Sequence, residues 1–190
     1  MTLEEIITPL VAAMDAAEEL RERSFRDSRE IIRESKKAIN SIHRGQDPTP
    51  FLEECRRRND GMLAYLGDAA SQRGAVEDAM MELAEAFLLD AILNDAPLPD
   101  PEALNISDRA WIMGLADVPG ELRRRCLDLL RDGRVDDADA ILQRMEDVHE
   151  ALMRFDHPDA VLPVRRKQDV SRSVVERTRG DVANALVSRR

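Results

Sequence analysis

Apolar residues recur every three to four positions along most of this chain, and the pattern breaks where Gly and Pro gather. That spacing is the signature of α-helices with one buried stripe. A first helix is predicted from about Leu3 to His43, opened by a capping box of Thr2 and Glu5 and closed by Gly45 and "DPTP". Its only proline, Pro9, lies near its start. About 40 residues is long for a globular helix and points to an extended packing partner or an assembly surface. A second helix is expected over Pro50–Ala70, with Thr49 as N-cap, Pro50 in the first turn and Gly61 as a weak point. A third covers about Ala75–Asn94. The connector "DAPLPDPEALNIS" follows, with a short turn after Asp100-Pro101. Ser107 caps a fourth helix over Asp108–Arg131, ended by Asp132-Gly133. Pro119-Gly120 interrupts it, so it is either kinked there or two helices meeting. A fifth helix is expected over Val135–Phe155, then the loop "DHPDAVLP" and a sixth over Pro163–Ser188. The expectation is one all-α domain over residues 1–190, an antiparallel bundle of six to seven helices with a long first helix.

One stretch departs from the simple pattern. In "MMELAEAFLLD", residues 80–90, nearly every side chain is apolar, yet Glu82 and Glu85 sit in the middle. Three residues apart, they lie about 60° from one another around a helix and share a face. Asp117 and Glu121, four apart, share a face if the helix break allows it, and Ile112, Met113, Leu115, Ala116 and Val118 surround Asp117. Burying unpaired carboxylates is costly, so four inward acids call for cations, either Arg side chains or metal ions. Hard divalent ions such as Mg2+ or Mn2+ take oxygen ligands, and a cluster holding them can activate water and brace a phosphodiester. A charged-rich chain also makes such acidic pairs by chance, so spacing alone leaves solvated pairs as the competing reading.

Charge adds a second contrast. The formal net charge is −10, with three Lys against 25 Arg and 21 Asp against 17 Glu. Few lysines and many aspartates are what a protein of a high-salt cytoplasm tends to show, since strong salt screens exposed pairs and hydrated carboxylates aid solubility. From Val164 to Arg190 eight basic residues face three acidic ones, while the rest of the chain is strongly acidic. Arg165, Arg166, Lys167 and Arg172 there, with Arg123, Arg124 and Arg125, are candidate phosphate contacts. The alternative is a helix face that pairs with acids of its neighbours.

Other chemistries find little support. Cys55 and Cys126 have no ligand-spaced partner and read as reduced core thiols. No leader and no long uncharged apolar run is present, so a cytoplasmic protein without membrane contact is expected. Glu146 and His149 have the ExxH spacing of di-iron bundles, but His43 and His157 lack the matching Glu, so His149 reads as a packing or hydrogen-bonding residue. Gly-rich phosphate loops, Ser–His–Asp signatures, zinc spacings and helix-turn-helix patterns are all missing.

Three segments together resemble the translin family, and within it the TRAX branch. "SREIIRESKKAINSIHR" at 28–44 is similar to the family's first-helix motif, "ELAEA" at 82–86 to the segment carrying the paired glutamates, and "GLADVPGELRRRCLDLLRDGRVDDA" at 114–138 to the most recognisable block of TRAX. "VRRKQDVSRSVVERTRGDVANAL" follows the pattern of the family's last helix. The resemblance implies a seven-helix bundle assembling into a hollow octamer that binds single-stranded RNA or DNA. It also implies a metal-dependent endoribonuclease, with Glu82, Glu85, Asp117 and Glu121 as catalytic and metal-binding acids and Mg2+ or Mn2+ as the cofactor. A compact homo-oligomer without a separate translin partner is the simplest form of that picture. A non-catalytic nucleic-acid-binding assembly and a purely structural oligomer are the alternatives.

Overall fold

The computed structural model describes residues 1–67 and 74–188. Among the described residues there are eight helical segments and no strand: α1 (Leu3–His43), α2 (Thr49–Leu66), α3 (Gly74–Leu93), α4 (Pro101–Leu104), α5 (Asp108–Leu115), α6 (Val118–Arg131), α7 (Val135–Leu152) and α8 (Arg165–Ser188). The all-α bundle and its long first helix are as expected. None of these helices is long and apolar enough to cross a membrane.

Packing follows the apolar stripes. α3 lies at the centre, against α1, α2, α5 and α6, while α6, α7 and α8 pack on one another. Nine α3 residues are buried, among them Leu83, Ala84, Leu88 and Leu89. A helix that is apolar nearly all round belongs in the middle of a bundle. Leu122 and Cys126 of α6, Met145 and Leu152 of α7, and Val175 of α8 complete the shared core.

Local chemistry sets the ends. The Thr2–Glu5 capping box forms as expected, Ser107 caps α5 and Asp100 caps the single turn α4. Thr49 is not the cap of α2: the helix begins at Thr49 itself, and the Thr49 N–H donates to Asp47 Oδ1 at 3.0 Å. Residues 68–70, expected to end the second helix, lie outside the described residues. The expected fourth helix is two helices, with Ala116-Asp117 as the elbow between α5 and α6. Pro119 falls in the first turn of α6, where its missing N–H costs nothing. α7 stops at Leu152 rather than Phe155, because the Gln168 side chain of α8 donates to the carbonyls of Leu152 and Phe155, both at 2.8 Å.

The first half of α1 departs from the rest. Residues 1–19 are all exposed, including Leu3, Ile6, Ile7, Leu10, Val11 and Met14, and α1 enters the core only from Leu20 onward.

Candidate active site

The site begins with Gly114 of α5. A Cβ there would lie 2.6 Å from the Met81 carbonyl oxygen, 2.7 Å from Ala84 Cβ and 3.0 Å from the Glu85 nitrogen. α5 therefore crosses α3 in near backbone contact, at the turn carrying Glu82 and Glu85. The chain then turns at Ala116-Asp117, directly beside this crossing. Glu121 follows in the first turn of α6, where a carboxylate is favoured by the helix dipole.

Two of the four acids have cationic partners. The Lys167 ammonium of α8 donates to Asp117 Oδ2, to the Met113 carbonyl at 3.1 Å and to Met81 Sδ at 3.2 Å. It thereby ties α8 to both helices of the crossing. His43, at the end of α1, donates Nε2–H to Glu121 Oε2 at 2.5 Å, and Arg124 stands 3.8 Å from the same oxygen. The His43 side chain is only 3% exposed, and its Nδ1 is buried with no partner among the described residues. Glu82 and Glu85, half-buried, receive no hydrogen bond or ion pair among the described residues.

The electrostatics follow from this layout. Burial pushes the Glu85 carboxyl up to about 8, and the charges of Asp117, Glu82 and Glu121 add to that push against the opposing Lys167. All three other acids thus act on Glu85. Glu82 is raised too, chiefly by burial, with Lys36 of α1 opposing most strongly. Glu121 is held below the usual carboxylate range, first by the His43 hydrogen bond.

As donors for a hard cation, the four acids fit in kind. Lys167 engages only Oδ2 of Asp117, and His43 and Arg124 only Oε2 of Glu121, which leaves Oδ1 and Oε1 without a partner among the described residues. They are not preassembled: among the described residues no three His, Cys, Asp or Glu side chains stand together as a ready metal cluster. A cation would have to draw Asp117 and Glu121 partly away from Lys167 and His43.

The candidate phosphate contacts scatter. Lys167 belongs to the acid site. Arg123 is spent inside the bundle, bonded to Thr178 Oγ1 at 2.8 Å and Asp181 at 2.9 Å. Arg165 pairs with Asp156 at 3.1 Å, and Arg124 leans toward Glu121. Arg125 is half-buried between α6 and α7, while Arg166 and Arg172 are exposed. The ExxH pair does not act together: Glu146 is bound by Arg179 at 2.6 Å, and His149 Nδ1 meets Ser171 Oγ at 3.1 Å. Three residues escaped the spacing argument: His43, Lys36 and Gly114. The first two lie in the "SKKAINSIHR" segment, which the sequence marks only as similar to the family's first-helix motif.

Comparison with known proteins places this geometry. No family profile matches the chain. The uncharacterized protein MJ0175 of Methanocaldococcus jannaschii is 33% identical over 170 residues, covering 88% of this chain and 77% of that one. The crystal structure of AfC3PO, from Archaeoglobus, superposes with a TM-score of 0.85 at 33% identity, covering 100% of this chain and 99% of that one. The same protein in complex with duplex RNA gives 0.84 at 31% identity, covering 100% and 98%. Apo-NeC3PO shares the fold, with a TM-score of 0.85 at 19% identity over 97% of this chain and 98% of that one. C3PO is an assembly of translin/TRAX type, and with a third of its residues shared over the full length of AfC3PO, the chain belongs to the translin family.

Proposed function

We propose that the protein is a metal-dependent endoribonuclease that acts on single-stranded RNA within a homo-oligomer. The observation that carries this reading is Glu85: a half-buried carboxyl with no ion pair among the described residues, on which three further acids act. A structural role gives no reason to gather four acids around one packed helix crossing, since unpaired buried charge is destabilising. A hydrolytic site for phosphodiesters does. Glu82, Glu85, Asp117 and Glu121 would hold Mg2+ or Mn2+, which when bound neutralises phosphate charge and makes water a better nucleophile at neutral pH.

The chain's own residues have separable tasks. His43 fixes the Glu121 carboxylate through Nε2–H, in the manner of an outer-shell partner. Lys167 holds Asp117 and limits the mutual repulsion of the acids. Glu85, raised to about 8 without a cation, would give up its proton where a cation is held. The capture of AfC3PO with duplex RNA supports RNA as the class of ligand. The exposed apolar stripe at the start of α1 supports self-association, with an octamer implied by the family resemblance.

The test is cleavage of end-labelled RNA, single-stranded and duplex, with and without Mg2+ or Mn2+. Glu82→Gln and Glu85→Gln should each lower cleavage by at least the roughly 10–100-fold that loss of an outer-shell partner costs a metal site, while leaving RNA binding in place. Cleavage that persists in both variants sinks the mechanism. Binding without any metal-dependent cleavage by the wild type favours the second reading, a non-catalytic RNA-binding assembly. That reading draws on the pairing of Asp117 with Lys167 and of Glu121 with His43.

A further inference from the structure

The strongest unassigned feature lies on α1, between its exposed first half and the acid site. Arg26, Arg29, Arg33 and Lys36 recur at intervals of three and four residues. At 100° per residue they fall within a band about 80° wide on the solvent side of the helix. All four are exposed. Ser24, Ser28, Ile31, Ser35 and Ala38 form the opposite, buried face. We propose that this band is a track for the RNA phosphate backbone, leading along α1 into the carboxylate site. The proposal rests on the reading of that site as one that handles RNA.

Three observations carry it. First, the band is continuous with the site. His43, two turns beyond Lys36 on the same helix, holds Glu121 Oε2 at 2.5 Å. Second, the cations are not consumed by the protein. Arg26, Arg29 and Lys36 have no ion pair among the described residues, and only Arg33 is paired, with Glu30 of its own helix. Of the neighbouring acids, Asp27 accepts from the Tyr65 hydroxyl at 2.7 Å and Glu34 is buried against Lys37 at 2.8 Å, while Glu22, one turn before Arg26, lies on the band and marks its N-terminal end. In a protein of net charge −10, a basic row with three of its four cations free of ion pairs among the described residues is where a polyanion would be held. Third, the row has an aromatic partner. Phe25 is 52% exposed, and the Arg29 guanidinium lies over its ring at 5.7 Å. Cations that follow the backbone beside a ring that can stack a base are the elements of a single-strand groove. Side chains three and four apart on a helix are about 5–6 Å from one another, a spacing suited to successive phosphates of one strand.

The test separates binding from cleavage. Fluorescein-labelled 20-nucleotide oligouridine is titrated with the full-length protein in chelator, and anisotropy is followed across a potassium chloride series. Arg26→Gln/Arg29→Gln/Arg33→Gln is expected to weaken binding at least tenfold. It should also make the log K against log salt plot shallower by about 2, since each single-strand phosphate contact contributes about 0.7. A control variant, Arg57→Gln/Arg131→Gln, at exposed side chains that pair with acids of their own helices, should change affinity less than threefold. Thermal melts of both variants establish that the fold is kept. If the wild type binds and the α1 triple variant binds equally, with the same slope, the track is wrong while the ribonuclease reading stands. If the control variant loses as much as the α1 variant, the track is also wrong. If the wild type binds no RNA at all, both readings fall.

Discussion

Glu85 is the residue whose environment says most. A carboxyl raised to about 8 in the folded protein binds its proton more tightly there than in the unfolded chain, where its pKa is near 4.5. Below about pH 4.5 it is protonated in both states and costs nothing. As pH rises toward 8 the unfolded chain gains by ionising and the folded protein does not, so stability falls across that window. Glu85→Gln should remove this slope, which is at most about 1.4 kcal/mol per pH unit. Denaturant melts at pH 5 and pH 8 in chelator would therefore show the variant gaining on the wild type as pH rises. Equal differences at both pH values would contradict the burial of this carboxyl. Lys167 works in the other direction, as the cation among four acids. Lys167→Ala should cost about 1–3 kcal/mol through its lost charged hydrogen bonds. Added Mg2+ should restore part of the lost melting temperature if the acids take up the cation instead.

At the scale of elements, the crossing of α5 over α3 decides where the acids stand. Gly114→Ala would drive a methyl group into the backbone at Met81 and Glu85, so the helices must separate. Overpacking of this kind typically costs about 1–3 kcal/mol. We expect a lowered melting temperature together with a loss of metal-dependent cleavage larger than that of a distant substitution of equal stability cost. The helices themselves were legible in the sequence, because the apolar period is local and the caps at Thr2, Asp100 and Ser107 are written in adjacent residues. What misled were ends set by distant groups. Gln168 stops α7 from another helix, and Asp47 rather than Thr49 serves the start of α2. The break at Ala116-Asp117 was visible as Pro119-Gly120, but whether it kinked or divided the helix depended on what α3 and α8 offered in its place.

For the whole molecule, the first turns of α1 leave an apolar row exposed. Leu3, Ile7, Leu10 and Met14 continue the seam that packs inside the bundle further along the same helix, yet here they face water. An apolar row of that length on one monomer marks an interface, and a second copy of the chain is the partner an assembling family supplies. Leu10→Glu/Met14→Glu should reduce the mass seen by light scattering toward that of the monomer, with the helical signal retained. A variant of unchanged mass would show that the assembly uses another surface.

The sequence by itself determined that the chain is helical, that its third helix is built for burial and that two acids interrupt it. Period, caps and composition are local properties, and the residues that carry the family resemblance are contiguous. Which charges meet was decided only by the tertiary structure. Lys167 looked like one cation of a basic C-terminal helix and proved to be the counter-ion of Asp117, 50 positions away. His43 looked like an unpaired histidine and holds Glu121, 78 positions away. Coulomb and desolvation energies depend on distance through space and on what excludes water. Neither quantity exists until α3, α5 and α8 have packed.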